Sequence, residues 1–174
     1  MIQALHSAGI GVILDVVYNH TYRRHSWLDR SAPGRYYRHG PKGEHLNGSG
    51  CGNETASEGE PFRQYMLRSV LYWAKEYHVD GFRFDLMGVH DVKTMNLIRD
   101  ALDELPDGRS ILMLGEPWAG GALGLKAPHL PADKAHARLL SPRIAVFCDQ
   151  TRTALTGSVF ESGDIGYPSG RQDP

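Results

Sequence analysis

The sequence predicts an α/β fold with a parallel sheet, and three observations carry that expectation. Four apolar runs, "VILDVVYNH", "VDGFRFD", "ILMLGE" and "IAVFCD", read as strands buried on both faces. They alternate with helix-periodic segments or a long loop, an order that calls for parallel pairing through right-handed crossovers. Each run closes in polar residues at its C-terminal end. A (β/α)₈ barrel and a doubly wound sheet both place their sites there, and both fit.

Taken in order, residues 2–7 read as the last turns of a helix, ended by Gly9 and Gly11. A chain that opens in the tail of a helix reads as continuing upstream. The first strand follows, over 12–20. Residues 21–60 form a polar segment dense in glycine and aromatics. A loop of that length in a compact domain is commonly functional.

The next helix starts near Pro61, a residue suited to a first helical position. Phe62, Tyr65, Met66, Ser69, Trp73 and Tyr77 recur at helical spacing and are expected to form its core stripe. After "VDGFRFD", a second helix runs from an Asp91 N-cap to Leu105, burying Met95, Ile98, Leu102 and Leu105. Pro106-Asp107-Gly108 ends it. "ILMLGE" is the third strand, 119–143 is irregular with a short helix around 132–140, and "IAVFCD" is the fourth strand. "QTRTALTG" reads as a short helix, and the Gly- and Pro-rich residues 158–174 as a loose tail.

Composition excludes several classes of function. The 174 residues are 41% hydrophobic and 22% charged, with a formal net charge of −1 and no basic run, so nucleic acid is not an expected partner. No apolar stretch reaches membrane-spanning length, so a membrane is not one either. The opening residues lack the pattern of a signal peptide. Cys51 and Cys148 lie far apart, which argues against a disulfide framework and favours the cytoplasm, with secretion left open. No glycine-rich phosphate turn follows a strand, which counts against a nucleotide site.

The chemistry gathers at strand ends. Asp85 and Glu116 close adjacent strands and would lie at the same end of the sheet. A carboxylate pair across a cleft is the minimal machinery for breaking a glycosidic bond. Arg83 shares a strand face with Asp85, and a guanidinium beside a carboxylate favours the ionised form that a nucleophile needs. In isolation, an Arg–Asp pair could equally be a self-satisfied element of a barrel. Glu116 is followed by Pro117-Trp118, an indole that offers a sugar-stacking face and an apolar wall suited to a general acid. Asp15, Asn19 and His20 sit at the end of the first run, with His20 placed to donate to a sugar hydroxyl.

Together, "DVVYNH", "GFRFD" and "GEPW" resemble successive signature regions of the alpha-amylase family of glycoside hydrolases. "NGSGCGNETASE" at 47–58 and "GFRFDLMGVHD" at 81–91 resemble the type I pullulanase branch, and "IAVFCDQTRTALTG" resembles its sixth strand and following turn. The resemblance implies part of a (β/α)₈ barrel, roughly its third to sixth strands, over residues 1–157. It implies retaining cleavage of α-1,6 branch linkages in pullulan, amylopectin or glycogen-derived dextrins. Asp85 would be the nucleophile and Glu116 the acid/base. Arg83 would orient Asp85, His20 would contact the reacting sugar, Asn19 and Asp15 would shape the first strand end, and Trp118 would line the acceptor side.

The sequence also departs from the family's pattern. The family's third carboxylate, an Asp after His on the seventh strand, has no counterpart, and His90-Asp91 follows the wrong strand to replace it. Gly88-Val89-His90 stands where many alpha-amylases carry Lys-His, which points toward debranching. An open part-barrel would expose sheet edges and apolar surface, so the chain by itself is expected to be marginally stable and to have little or no hydrolase activity. No cofactor is demanded. Some members of the family hold calcium near the first motif, where Asn19 would help, but no dense Asp/Asn loop accompanies it and no metal is expected. Two other readings stay open: a related α-1,4-glucan hydrolase or branching transferase, and a non-catalytic carbohydrate-binding remnant.

Overall fold

The computed structural model describes residues 1–22 and 26–170. Its elements are α1 (Ile2–Ser7), β1 (Ile13–Val16), α2 (Trp27–Ser31), α3 (Glu60–Tyr77), β2 (Gly81–Phe84), α4 (Val92–Asp103), β3 (Leu112–Gly115), β4 (Ala145–Val146) and α5 (Asp149–Thr156). The four strands pair in chain order, all parallel, so each crossover carries the chain back to the same end of the sheet. This is the α/β arrangement expected of part of a barrel. Among the described residues no helix is long and apolar enough to cross a membrane.

Register sorts the side chains into two faces. Leu14, Phe82 and Met113 lie side by side, as do Val16, Phe84 and Gly115. That face meets α3 and α4, and Phe82 and Phe84 are fully buried. Each such ring contributes about 2–3 kcal/mol of burial. The other face carries Ile13, Asp15, Arg83, Leu112, Leu114 and Ala145, and here the expectation of strands buried on both sides fails. Ile13 is 46% and Leu112 57% exposed. The helices cover only one side of the sheet among the described residues, so apolar strand residues of alternating register face outward.

The helix α3 also differs from its expected stripe. Its core row is Phe62, Met66, Val70 and Ala74, spaced by four, whereas Tyr65 and Tyr77 are exposed and Trp73 is only partly covered. The compact row packs α3 against α4 and joins the core cluster that includes Phe82 and Phe84. The aromatics flank it, with Tyr72, Trp73 and Tyr77 packed on one another. The helix ends at His78, which adopts a left-handed conformation at φ 54°.

The expected cap of α4 is present, since Asp91 Oδ1 accepts the Thr94 amide at 3.0 Å. Asp91 Oδ2 also accepts from Ser57 Oγ at 2.7 Å. Of the expected stripe, Met95, Ile98 and Leu102 are fully buried, whereas Leu105 lies past the end of α4 and is partly buried; Arg99 is fully buried as well. It donates to the carbonyls of Ile111 and Gly108 and pairs with Asp103 at 2.7 Å, tying the end of α4 to the entry of β3. Beyond α5, residue 157 bridges to Ile165 and the Ser158 amide donates to the Asp164 carbonyl at 2.9 Å.

Candidate active site

The C-terminal ends of β1, β2 and β3 converge on one guanidinium. Arg83 Nη1 donates to Asp15 Oδ1 at 2.7 Å and to Asp85 Oδ1 at 2.8 Å, and Nη2 lies 2.6 Å from Glu116 Oε1. The register explains the convergence. Asp15 stands directly beside Arg83, while Asp85 and Glu116 follow the last residues of their strands. Burial alone would pull the Arg83 pKa down. Hydrogen bonds to Asp15 and Asp85 and the charge of Glu116 outweigh it and raise the pKa above its ordinary value. One fixed cation thus serves three carboxylates, leaving the cluster net negative.

The backbone between the strands supports the same geometry. Leu86 sits in the left-handed region at φ 41°, a strained state for a branched residue that costs on the order of 1–3 kcal/mol. That turn aims its N–H at Glu116 Oε2, 2.9 Å away. Both Glu116 oxygens therefore meet donors. Gly88 follows, and its amide donates to the Glu116 carbonyl at 3.0 Å. A Cβ at Gly88 would lie 2.6 Å from the Trp118 carbonyl group. The position matched by Lys-His in many alpha-amylases is here filled by the neighbouring backbone.

Asn19 links the first strand end to Asp85. It is fully buried, and its Nδ2 donates to the Asp85 carbonyl and to Asp85 Oδ2, each at 2.9 Å. Its Oδ1 must then be the atom facing His20 Nδ1 at 2.6 Å, so His20 donates there. A neutral His20 in that tautomer presents Nε2 as an acceptor.

Trp118 is half-buried, 6.5 Å from the Phe147 ring between centroids, with the Lys134 ammonium 5.9 Å over its face. Lys134 is in turn paired with Asp149. The Phe147 ring is exposed and lies 5.8 Å from the Arg83 guanidinium. Two aromatic rings thus flank the carboxylates.

Sequence reasoning did not single out Phe147. The available signal was an aromatic at the end of the fourth apolar run, level with the carboxylates of the others. Nor did it single out the residues that hold the loop over 21–60 in place. Thr55 donates to the Tyr18 carbonyl at 2.7 Å and its amide to the Asn19 carbonyl at 3.0 Å, while Asn53 exchanges bonds with Thr21. Glu54 is fully buried and accepts from Arg38, the Gly48 amide and the Gly124 amide. It ties the loop after β1 to the loop after β3. The run of polar residues inside "NGSGCGNETASE" was the trace of this network.

All seven residues picked from sequence, Asp15, Asn19, His20, Arg83, Asp85, Glu116 and Trp118, lie at this end of the sheet. Six of them are joined by direct polar contacts, and Trp118 stands two residues beyond Glu116.

No protein-family model matches the chain. Individual proteins do. The pullulanase of Bacillus subtilis is 39% identical over 98% of this chain and 23% of its own length. The crystal structure of pullulanase from Anoxybacillus sp. LM18-11 complexed with maltotetraose superposes with a TM-score of 0.89 at 43% identity, covering 97% of this chain and 24% of that one. Pullulanase from Paenibacillus barengoltzii, in complex with maltohexaose and alpha-cyclodextrin, gives 0.89 at 43% identity, over 97% of this chain and 26% of that one. The chain spans about a quarter of the length of these relatives.

The parallel sheet with its carboxylates at the strand ends therefore resembles a segment of the barrel found in alpha-amylase-family pullulanases. Its homologues within that family are pullulanases and related debranching enzymes.

Proposed function

We propose that this chain carries the central carboxylates of a retaining α-glucan hydrolase that cleaves α-1,6 branch linkages. The observation that carries the reading is the Arg83 fork, which binds Asp85 and Glu116 from adjacent strands at one end of the sheet. Asp85 is the nucleophile. It receives Arg83 on one oxygen and Asn19 on the other, so its carboxyl group is held in a fixed orientation. It attacks the anomeric carbon while Glu116 protonates the leaving glycosidic oxygen. Water, deprotonated by Glu116, then releases the sugar from the ester. Retaining enzymes hold the two carboxyl groups about 5–5.5 Å apart, a span that one guanidinium can bridge.

The remaining residues act on binding. The net negative cluster around Arg83 favours a transition state with cationic character at the sugar ring. Trp118 and Phe147 offer ring faces for stacking against pyranose carbons, and His20 meets a hydroxyl of the reacting sugar. The relatives crystallised with maltooligosaccharides support an α-glucan as the substrate class. With one sheet face open, the chain by itself turns over pullulan poorly or not at all.

The test avoids dependence on that turnover. An α-maltotriosyl fluoride needs no acid to expel its leaving group. Incubated with the Glu116→Gln chain, it should leave one maltotriosyl unit on Asp85, found by peptide mass spectrometry. Asp85→Asn should abolish the adduct. A sugar carried on another residue, or an adduct that survives Asp85→Asn, would refute the assignment.

A further inference from the structure

We propose that Asp29, His39 and His45 form a binding site for one divalent transition-metal ion of the zinc class. The site lies in the loop between β1 and α3 and shares no residue with the carboxylate cluster around Arg83. It runs against the sequence expectation of no metal, and it does not depend on the glycosidase reading.

The backbone builds the site. Gly40 N–H donates to the Glu44 carbonyl at 2.8 Å and Leu46 N–H to the Arg38 carbonyl at 3.0 Å. Those two bonds bracket His39 and His45, which face each other as an antiparallel bridge. A pair placed so, between rather than within the hydrogen-bonded rungs, brings its side chains closest together. The two imidazole centroids are 4.6 Å apart. Asp29, on α2, completes the cluster, with its Oδ2 3.5 Å from His45 Nε2. One ligand atom from each of the three residues lies within 4.8 Å of the others. A tetrahedral zinc with arms of ~2.0–2.1 Å separates its ligands by about 3.3–3.4 Å. The Asp29–His45 edge is therefore near the bound spacing, and the other edges have to close from no more than 4.8 Å.

Two further features point to a ligand rather than a simple ion pair. The His45 ring is held edge-on against Tyr37 at 5.0 Å, and the Tyr37 hydroxyl is tied to Thr21 and Ser26. The second oxygen of Asp29 accepts the Gly34 amide at 3.3 Å, which orients the carboxylate. Two imidazoles and one carboxylate suit zinc and its neighbours in the transition series. Calcium and magnesium prefer sets made wholly of oxygen. Bound there, the ion would cross-link α2 to the 38–46 hairpin.

The test is calorimetric titration of the chelator-treated chain with Zn²⁺. One equivalent should bind with micromolar or tighter affinity. Asp29→Asn, which is nearly isosteric, and His45→Ala should each weaken it at least tenfold. His129→Ala and the double Cys51→Ser/Cys148→Ser change should leave it unaltered. Bound Co²⁺ should show tetrahedral visible bands without thiolate charge transfer. Absence of stoichiometric binding, binding indifferent to Asp29→Asn, or binding lost with the cysteines would each overturn the site.

Discussion

Replacing His90 with leucine is expected to remove most of the acid sensitivity of folding between pH 7 and pH 5. The His90 ring is fully buried and neither of its nitrogens has a hydrogen-bond partner. Burial, and after it the charge of Arg38, pushes its pKa from 6.5 down to about 3, against the weaker pull of Asp91 and Asp85. Between those two values the unfolded chain binds a proton that the folded chain refuses. Its contribution is therefore complete above about pH 6.5 and is lost progressively as the pH falls toward 3.

From pH 7 to pH 5 the loss due to this one group is about 2 kcal/mol. Few carboxylates titrate in that interval, so the effect stands apart from general acid unfolding. With a urea dependence of ~1–3 kcal/mol/M, the wild-type midpoint should drop by about 1 M, and the His90→Leu midpoint by far less. Leucine also removes two unpartnered polar atoms, so the variant should be at least as stable at neutral pH. A His90→Leu midpoint that falls as steeply as the wild type would refute the reasoning.

Other outcomes follow from the same contacts. Arg83→Met should slow formation of the Asp85 sugar ester at least 100-fold, as followed by mass spectrometry. Arg83→Lys should recover little of it, because an ammonium cannot span Asp85 and Glu116 as the planar fork does. Gly88→Ala should cost about 1–3 kcal/mol in urea unfolding, since its Cβ would press on the Trp118 carbonyl at 2.6 Å. Asp91→Ala removes the cap of α4 and the partner of Ser57 in a buried setting, and should lower stability by about 2–4 kcal/mol in the same assay.

Much of this protein was legible in its sequence because the signals are local. Apolar runs bounded by turns marked the strands, and Asp91 before a helical period marked the cap of α4. Carboxylates at the ends of successive runs follow directly from parallel pairing, which brings equivalent ends together. Asp85 and Glu116 were visible on that ground, and Arg83 by its alternation with Phe82 and Phe84.

Other features depend on distances that no spacing rule encodes. A helical period defines a stripe but not which of two adjacent rows meets the neighbour, so the row through Val70 and Ala74 was passed over for the aromatics beside it. Both faces of a parallel strand read alike, so nothing local told that Ile13 and Leu112 face outward. The buried Glu54 network and the His39–His45 pair join residues through hydrogen bonds and hairpin register. What the sequence by itself determined is the order of elements, their parallel arrangement and the carboxylates at their ends, because each rests on period and adjacency along the chain. Only the tertiary structure decided that one guanidinium holds three carboxylates, that Asn19 turns His20 into a donor toward itself, and that Asp29 meets two histidines. Those relations are set by side-chain reach across elements, which a one-dimensional pattern does not contain.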